Sequence, residues 1–411
     1  MKDSAGIRQD MIHLNTAGQG RLSAEVQTVL TKCVRLADRY GPHELEEHVE
    51  DVVHTEIHDR LATLLNAPQG HTELFTAGAA AFEALVGGLA PARGERIWTT
   101  PYESAAHLAT LQSLRDRTRC RIEVVPLRAD GDLDLEWMAD HIDNDVALVS
   151  VAHVPATRGI THPVEDIGRI LAPYRCLYAV DAAYSVGQLP LDVGRIGCHL
   201  LTGDGWRFLR GPREVGFAYV APRLRAEPTL PADPFLEPAP FPATADVVAL
   251  NAALAQHTPD RFERVQKLMP ALLAAVEAVP GTRLLTPGRQ QSSIVAFEHP
   301  KLPAALIRHR LAEQGVVVAK TVAEETPLLA REGSVTTTLR ASLHEDNSED
   351  GIGRFAQALS GVVGQQRSCR LPRLKDRRHL AAVPAPASAA VIEDTPTRRI
   401  CGRKRNAQEA G

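Results

Sequence analysis

The stretch VDAAYSVGQLPL, residues 180–191, contains the end of a buried strand and the loop that follows it. Its strand begins in the apolar run 177–180 and stops at Asp181. Over the first 225 or so residues, similar short apolar runs alternate with amphipathic stretches of helical length. This alternation predicts an α/β fold with a mainly parallel sheet and helices on both faces. Such a sheet places ligand sites at the carboxyl ends of its strands, which is where Asp181 lies.

The predicted elements divide the chain into two lobes, as its 411 residues would suggest. The large domain, residues 1–227, has predicted strands at 73–76, 96–99, 121–125, 146–151, 177–180, 199–202 and 216–220, and helices at 80–89, 104–116, 135–142 and 163–171. A proline-rich connector follows at 228–242. The small α/β domain, 243–363, has predicted helices within 246–279, at 304–314 and at 348–359, and strands at 293–297, 316–319 and 336–342.

Residues 364–411 alternate basic clusters with an Ala/Pro-rich stretch, which predicts a mostly disordered tail.

Composition excludes several classes of protein. The net charge of −4 argues against a nucleic-acid or membrane partner. No run of about 18 apolar residues exists, and the start, MKDSAGIRQD, lacks the apolar core of a signal peptide, so a cytoplasmic protein is expected. The six cysteines form no CxxC or zinc spacing, which predicts reduced thiols and no metal site.

Four segments in order resemble the class V aminotransferases, the group of cysteine desulfurase and isopenicillin N epimerase. They are 12–22 (IHLNTAGQGRL), 180–191, 201–217 (LTGDGWRFLRGPREVGF) and 339–347 (LRASLHEDN). The resemblance covers roughly residues 10–363. It implies the pyridoxal 5'-phosphate (PLP) transferase fold, with a large parallel-sheet domain, a smaller α/β domain and a homodimer that shares a cleft.

The resemblance also implies a cofactor position at which this chain departs from the family. The lysine that holds PLP as a Schiff base corresponds to Arg207. A guanidinium cannot form this bond, because it stays protonated and its lone pairs are delocalised. We therefore expect no covalently held PLP; PLP is the cofactor that the resemblance implies, and non-covalent binding of it remains open.

Other cofactor positions also differ from the family pattern. Asp181 matches the aspartate that pairs with the pyridine nitrogen, although an aspartate that caps a turn is the alternative interpretation. Tyr184 stands where a glutamine contacts the ring, and its own ring could fill the cofactor's space. Asp204 replaces the phosphate-binding serine and would repel a phosphate. Trp206 replaces an imidazole or a guanidinium, and its indole could enter the phosphate pocket.

Some positions keep the family pattern. Gly78 and Ala79 preserve the phosphate-binding turn, whose backbone N–H groups could still donate, although Ala80 replaces a threonine. Tyr102 resembles an aromatic residue that stacks on the cofactor ring; a surface tyrosine is the alternative. Its neighbour Ala105 replaces an asparagine.

A substrate carboxylate is the ligand that the resemblance implies. Arg340 matches the arginine that binds it by a bidentate pair, and an ion pair between the lobes is the alternative role. Asn15 lies in the segment that enters the active site. Ala156 stands where relatives carry a polar side chain and offers no hydrogen bond.

Three functions remain open from the sequence. The first is a ligand-binding protein or PLP-independent enzyme that acts on an amino-acid-like carboxylate. The second is a working PLP lyase, aminotransferase or epimerase that uses another lysine, for which Lys320 is the candidate. The third is a non-catalytic scaffold that pairs with an active paralogue. The segment 321–334 has no cysteine, so nothing indicates desulfurase activity.

Overall fold

A computed structural model describes residues 11–226, 241–258, 260–285, 287–331 and 337–364. The described residues form two β-sheets with helices packed on them. The predicted tail, apart from Gly364, and the predicted connector, apart from residues 241 and 242, lie outside the described residues. No helix in the described part of the chain is long and apolar enough to cross a membrane.

The large sheet is mainly parallel, which confirms the predicted α/β class. After a first strand, β1 (Ile12–Leu14), its seven strands are β2 (Thr72–Phe75), β3 (Arg96–Thr99), β4 (Arg121–Val124), β5 (Val146–Ala152), β6 (Leu177–Asp181), β7 (Leu200–Asp204) and β8 (Gly216–Val220). The spatial order is β2-β8-β7-β6-β5-β3-β4. Only β8 runs against its neighbours, β2 and β7.

Helices cover both faces of this sheet, and several begin at side chains that cap them. Ser23, Ser104, Asp134 and Asp192 each accept a hydrogen bond from a backbone N–H three residues later. The helices are α1 (Ala24–Tyr40), α2 (Pro42–His48), a π-helical turn (Val52–Glu56), α3 (Ile57–Leu65), α4 (Gly78–Val86), α5 (Ala105–Thr118), α6 (Leu135–His141), α7 (Val164–Leu171), α8 (Val193–Ile196) and α9 (Pro222–Arg225).

The second sheet has the order β1-β11-β12-β10-β9 and belongs to the smaller lobe. Its other strands are β9 (Arg283–Leu284), β10 (Ile294–Glu298), β11 (Val316–Thr321) and β12 (Thr338–Ser342). The later helices are α10 (Thr244–Ala255), α11 (Arg261–Gln266), α12 (Met269–Glu277), α13 (Ala304–Glu313), α14 (Pro327–Arg331) and α15 (Glu349–Gly364). A separate hydrophobic core joins this sheet to α12, α13 and α15.

The path of the chain differs from the predicted domain division in two places. Strand β1 lies before the large sheet in sequence, yet it pairs in parallel with β11, with Ile12 opposite Val316. Helix α10 follows the connector, yet its apolar residues, Val247 and Leu250 among them, belong to the core of the large sheet. Both segments are placed by long-range packing, which local sequence patterns do not report.

The carboxyl ends of β3, β5, β6 and β7 meet at one edge of the large sheet, because these strands run parallel. The loops after them contain most of the residues that the sequence singled out. Helix α4 begins beside them, with Gly78 packed against Gly203 of β7. A side chain at Gly216 would place its Cβ 2.4 Å from the Gly78 nitrogen, so this close approach requires glycine there.

Two buried histidines lie behind this edge of the sheet. Burial lowers the pKa of His153 to about 4. Burial, with a smaller contribution from His153, lowers the pKa of His162 to about 3. Neither ring nitrogen of His162 has a hydrogen-bond partner among the described residues. Both rings are therefore neutral near pH 7 in the folded protein.

These histidines predict a loss of stability in mild acid. Their folded-state pKa values lie below the unfolded value of about 6.5, so the unfolded chain binds more protons as the pH falls from about 6.5 towards 4. We expect the midpoint of urea unfolding to fall over this range. His162→Phe, which keeps an aromatic ring beside Tyr102 and cannot be protonated, should reduce the pH dependence. His43→Phe, a change at an exposed histidine, is the control, and equal slopes in all three proteins would contradict the prediction.

Candidate functional site

The N-terminus of α4 is occupied by a side chain of the protein itself. Asp204, at the end of β7, accepts a hydrogen bond from the Gly78 backbone N–H through Oδ1 at 3.0 Å. Its Oδ2 accepts a hydrogen bond from Arg207 Nε at 2.9 Å. Asp204 is almost wholly buried. The carboxylate thus satisfies a free N–H of the helix, and the guanidinium compensates its charge.

Arg207 is fixed on several sides. Its Nη1 donates a hydrogen bond to the Ala17 carbonyl at 2.6 Å. Its guanidinium carbon lies 4.0 Å from the centroid of the Tyr184 ring, a cation–π arrangement. Burial would lower the pKa of Arg207, but Tyr184 and Asp204 outweigh burial and raise it. The Arg207 side chain is therefore a permanent, paired cation.

The Tyr184 ring lies close to two guanidinium groups. The Arg340 guanidinium carbon is 5.5 Å from the same ring centroid. The backbone carbonyl of Tyr184 accepts a hydrogen bond from the Gln188 amide. The ring packs with Ala17 and Phe208 in a small hydrophobic cluster. The structure thus brings Tyr184, Arg207 and Arg340 together.

Arg340 is buried but only partly paired. Its Nη1 donates to the Ala156 carbonyl at 2.6 Å, which links β12 to the loop after β5. Its Nε has no hydrogen-bond partner in the part of the chain that the structure describes. No carboxylate within 4.0 Å pairs with it among these residues. A buried guanidinium with an unused donor is suited to an anionic ligand.

Asn15 lies next to this arrangement. It forms an isolated bridge with Ser342, and the Ser342 hydroxyl accepts a hydrogen bond from the Ala17 N–H at 2.9 Å. Gly20 donates from its N–H to the Trp206 carbonyl at 2.8 Å. The Oδ1 atom of Asn15 is buried without a partner among the described residues. The turn after β1 therefore joins the small sheet to the loop that carries Arg207.

Asp181 ends β6, and its Oδ1 accepts a hydrogen bond from the Ala183 N–H at 2.8 Å. This contact is the turn-capping role that the sequence left as an alternative. Its Oδ2 lies 3.9 Å from His107 Nδ1. Burial raises the pKa of Asp181, and the nearby His107 works against this shift.

Two site residues were missed in the sequence. Glu103 is wholly buried, and His107 Nδ1 lies 3.4 Å from its Oε1. The segment ESAAH contained a signal for this pair. Ser104 is a typical helix N-cap, and Glu103 and His107 have the i, i+4 spacing that brings two side chains close on a helix.

The other predicted site residues lie beside the Asp204–Arg207 pair or farther away from it. Trp206 is half-buried, 5.5 Å from the Arg207 guanidinium, and Ala79 lies in the first turn of α4. The Tyr102 hydroxyl donates to the Gly131 carbonyl at 2.9 Å, and its ring packs with Ile160 in a hydrophobic cluster separate from that of Tyr184. Lys320 is exposed on β11. No group of three or more potential metal ligands is present among the described residues.

The comparisons with known proteins agree with this architecture. A probable cysteine desulfurase of Halobacterium salinarum is 26% identical over 402 residues, which cover 89% of this chain and 93% of the relative. The apo structure of a cysteine desulfurase from Thermococcus onnurineus has a TM-score of 0.77 at 20% identity and covers 86% of this chain and 95% of its own. A C-DES mutant with glycine covalently linked to its PLP cofactor has a TM-score of 0.75 at 19% identity, with coverage of 86% and 97%.

The two structural neighbours establish the fold as that of the PLP transferases, as the sequence predicted. The family model for aminotransferase class V matches residues 21–234 and 239–355. This match covers the large sheet, the second sheet apart from β1, and every described loop of the site except the turn after β1. The chain therefore belongs to the class V aminotransferase family.

Proposed function

We propose that this chain is a class V family member whose pocket binds a small, amino-acid-like carboxylate without covalently held PLP. The observation that carries the proposal is the buried Arg340 guanidinium, whose Nε is free of partners among the described residues. A carboxylate could accept from it in a charge-assisted pair. The ligand-binding protein and the PLP-independent enzyme both follow from this geometry, because both require a bound carboxylate.

The residues present do not fit PLP. A phosphate at the N-terminus of α4 would need the position that Asp204 holds on the Gly78 N–H. Asp204 already accepts from this N–H and is paired with Arg207, so a phosphate would have to displace a carboxylate that is held on both sides. The cofactor ring would compete with Tyr184, which is packed under Arg207. Relatives of known fold hold PLP, and these contacts support the proposal that this pocket does not.

The remaining alternatives each require something beyond these contacts. A PLP enzyme would need a lysine close to Asp181, whereas Lys320 is exposed and lies opposite Leu339 in the small sheet. A scaffold that pairs with an active paralogue would not need an unused guanidinium donor in a buried cleft. We also propose that the protein is a homodimer, as the family resemblance implies. Measurement of its mass in solution tests this oligomeric state.

The first prediction is that PLP forms no reducible Schiff base with this protein. The arginine at position 207 cannot form one, and the phosphate cradle is occupied. Borohydride reduction after incubation with PLP, followed by peptide mass analysis, should reveal no pyridoxyl-lysine. The absorbance spectrum should show no yellow band. A pyridoxyl group on Lys320 would instead support the PLP enzyme.

A second prediction concerns restoration of the cofactor site. Arg207→Lys alone should restore little PLP binding, because Asp204 still holds the Gly78 N–H. The combined change Arg207→Lys, Asp204→Ser and Trp206→His should bind PLP about tenfold or more tightly than the single variant, since the phosphate repulsion of a few kcal/mol is removed. Titration followed by absorbance measures both. Equally tight binding by the single variant would show that Asp204 does not block the site.

The third prediction tests Arg340. A charge-assisted pair contributes about 1.5–3 kcal/mol, so Arg340→Ala should weaken a carboxylate ligand about tenfold or more. Arg340→Lys should recover only part of this loss, because lysine lacks the planar fork. Ligands come from a thermal-shift screen with amino and keto acids, and calorimetry measures their affinities.

The control for this test is Arg283→Ala, which removes an exposed arginine paired with Glu298. It should leave the affinities unchanged. If amino and keto acids protect wild type and Arg340→Ala equally, then Arg340 only links β12 to the Ala156 loop, and the carboxylate proposal fails.

A further inference from the structure

The floor of the site contains His107, which is held in one orientation. It lies in the first turn of α5, and its backbone N–H donates to the Ser104 hydroxyl at 3.2 Å. Its side chain is 2% exposed. The ring stacks on Phe82 of α4, with centroids 3.9 Å apart and planes 11° from parallel. The imidazole is thus fixed between two helices and cannot turn away from the groups that face it.

Glu103 is the first of these groups, and its surroundings favour the ionised form. Its Oε2 accepts hydrogen bonds from the hydroxyls of Thr99 at 2.9 Å and Ser150 at 2.7 Å. Its Oε1 accepts from the Ser104 N–H at 3.1 Å and lies 3.4 Å from His107 Nδ1, an ion-pair contact without hydrogen-bond geometry. Three donors around a carboxylate stabilise its charge. A wholly buried negative charge therefore lies beside the imidazole.

Asp181 is the second group, with its Oδ2 at 3.9 Å from the same Nδ1 atom. Asp204 on the neighbouring strand also faces this region, but Arg207 is paired with it. Asp181 forms no ion pair with a lysine or arginine among the described residues. A buried carboxylate without a compensating cation is costly, and the histidine is the basic group within reach.

We propose that His107 is an imidazolium in the folded protein and is the built-in cation that compensates Glu103 and Asp181. In the family, the aspartate position faces the pyridine nitrogen of the cofactor; here the chain would supply the positive charge itself. This inference deepens the proposed function, because it explains how the aspartate is retained in a pocket that does not fit PLP. His107 is a positioning residue in this scheme, since it acts through the two carboxylates.

The directions of the pKa shifts of His107 and Glu103 agree with this assignment, whereas burial keeps the pKa of Asp181 raised despite His107. Burial alone would lower the pKa of His107, but Asp181 and Glu103, with a smaller contribution from Asp204, raise it. Burial alone would raise the pKa of Glu103, but His107, Ser150 and Thr99 hold it below its usual range. A raised histidine pKa stabilises the fold fully below the unfolded value of about 6.5, and this contribution is lost as the pH rises through the folded value.

The first test is spectroscopic and uses the unaltered full-length protein. Nitrogen-15 spectra of histidine-labelled protein report the protonation of each ring, and the His107 signals are assigned by their contacts with Phe82. At pH 7.5 we expect both ring nitrogens of His107 to be protonated, and both to stay so until the pH rises further. A neutral tautomer at pH 7.5 would overturn the proposal.

The second test separates charge from packing by a double-mutant cycle. His107→Phe keeps an aromatic ring against Phe82 and removes the charge, so it should lower the melting temperature by several degrees. Asp181→Asn should then raise the melting temperature of His107→Phe, or lower it much less than it lowers the wild type, because the uncompensated carboxylate is gone. Additive effects would overturn the proposal.

The matched control pairs Asp181→Asn with His162→Phe, which alters a buried histidine whose pKa is lowered rather than raised. These two changes should be additive. If His107→Phe does not fold, the spectra of the unaltered protein still decide the charge state. Neither test uses a ligand. A negative result here would therefore not contradict carboxylate binding at Arg340, and a negative result for that ligand would not contradict the His107 imidazolium.

Discussion

The hydrogen bond between Asp204 and the N-terminus of α4 is the interaction on which the arrangement of the cleft depends. A helix that begins inside a protein has N–H groups that need partners, and its dipole favours a negative group there. Once the chain supplies a carboxylate at that point, a cation must lie beside it, and Arg207 does so. The guanidinium plane in turn requires a flat surface, which the Tyr184 ring provides. Lysine at position 207 would satisfy only the first of these requirements.

The charged groups around the cleft form two sets, which differ in how fully their charges are paired. Asp204 and Arg207 compensate each other within hydrogen-bonding distance. Glu103, His107 and Asp181 form a second set behind them. Arg340 belongs to neither set, and its Nε is buried without a hydrogen-bond partner among the described residues.

Much of the large sheet could be predicted from the sequence, because its strands are short apolar runs between turns. The predicted strands 96–99 and 216–220 agree with β3 and β8 to the residue. Strand β1 could not be found this way, since three residues give no period and their partner is β11. Helix α10 shows the same limit: its apolar composition is evident in sequence, but its packing against the core of the large sheet is not.

The same distinction applies to the candidate site: residue identities can be read from the sequence, but contacts between distant segments cannot. The identity of Arg207 and the changes around it are readable in sequence, because ordered motifs fix the positions to compare. The hydrogen bond from the Gly78 N–H to Asp204 depends on how β7 is placed beside α4. The sequence does not specify this placement. The contact between His107 and Asp181 joins α5 to β6, so only their placement in three dimensions reveals it. For Tyr102, the structure places the side chain against Gly131, and its proposed role stays a prediction.

The pairing of β1 with β11 bears on the order in which the protein is assembled. During synthesis all strands of the large sheet emerge before β11 does. The partner of β1 emerges only after nearly all of the described residues have been made. Until then the turn that holds Arg207 through the Ala17 carbonyl has no sheet to anchor it. Closing so long a loop is slow, so the binding cleft is expected to be completed last, after translation has passed β12.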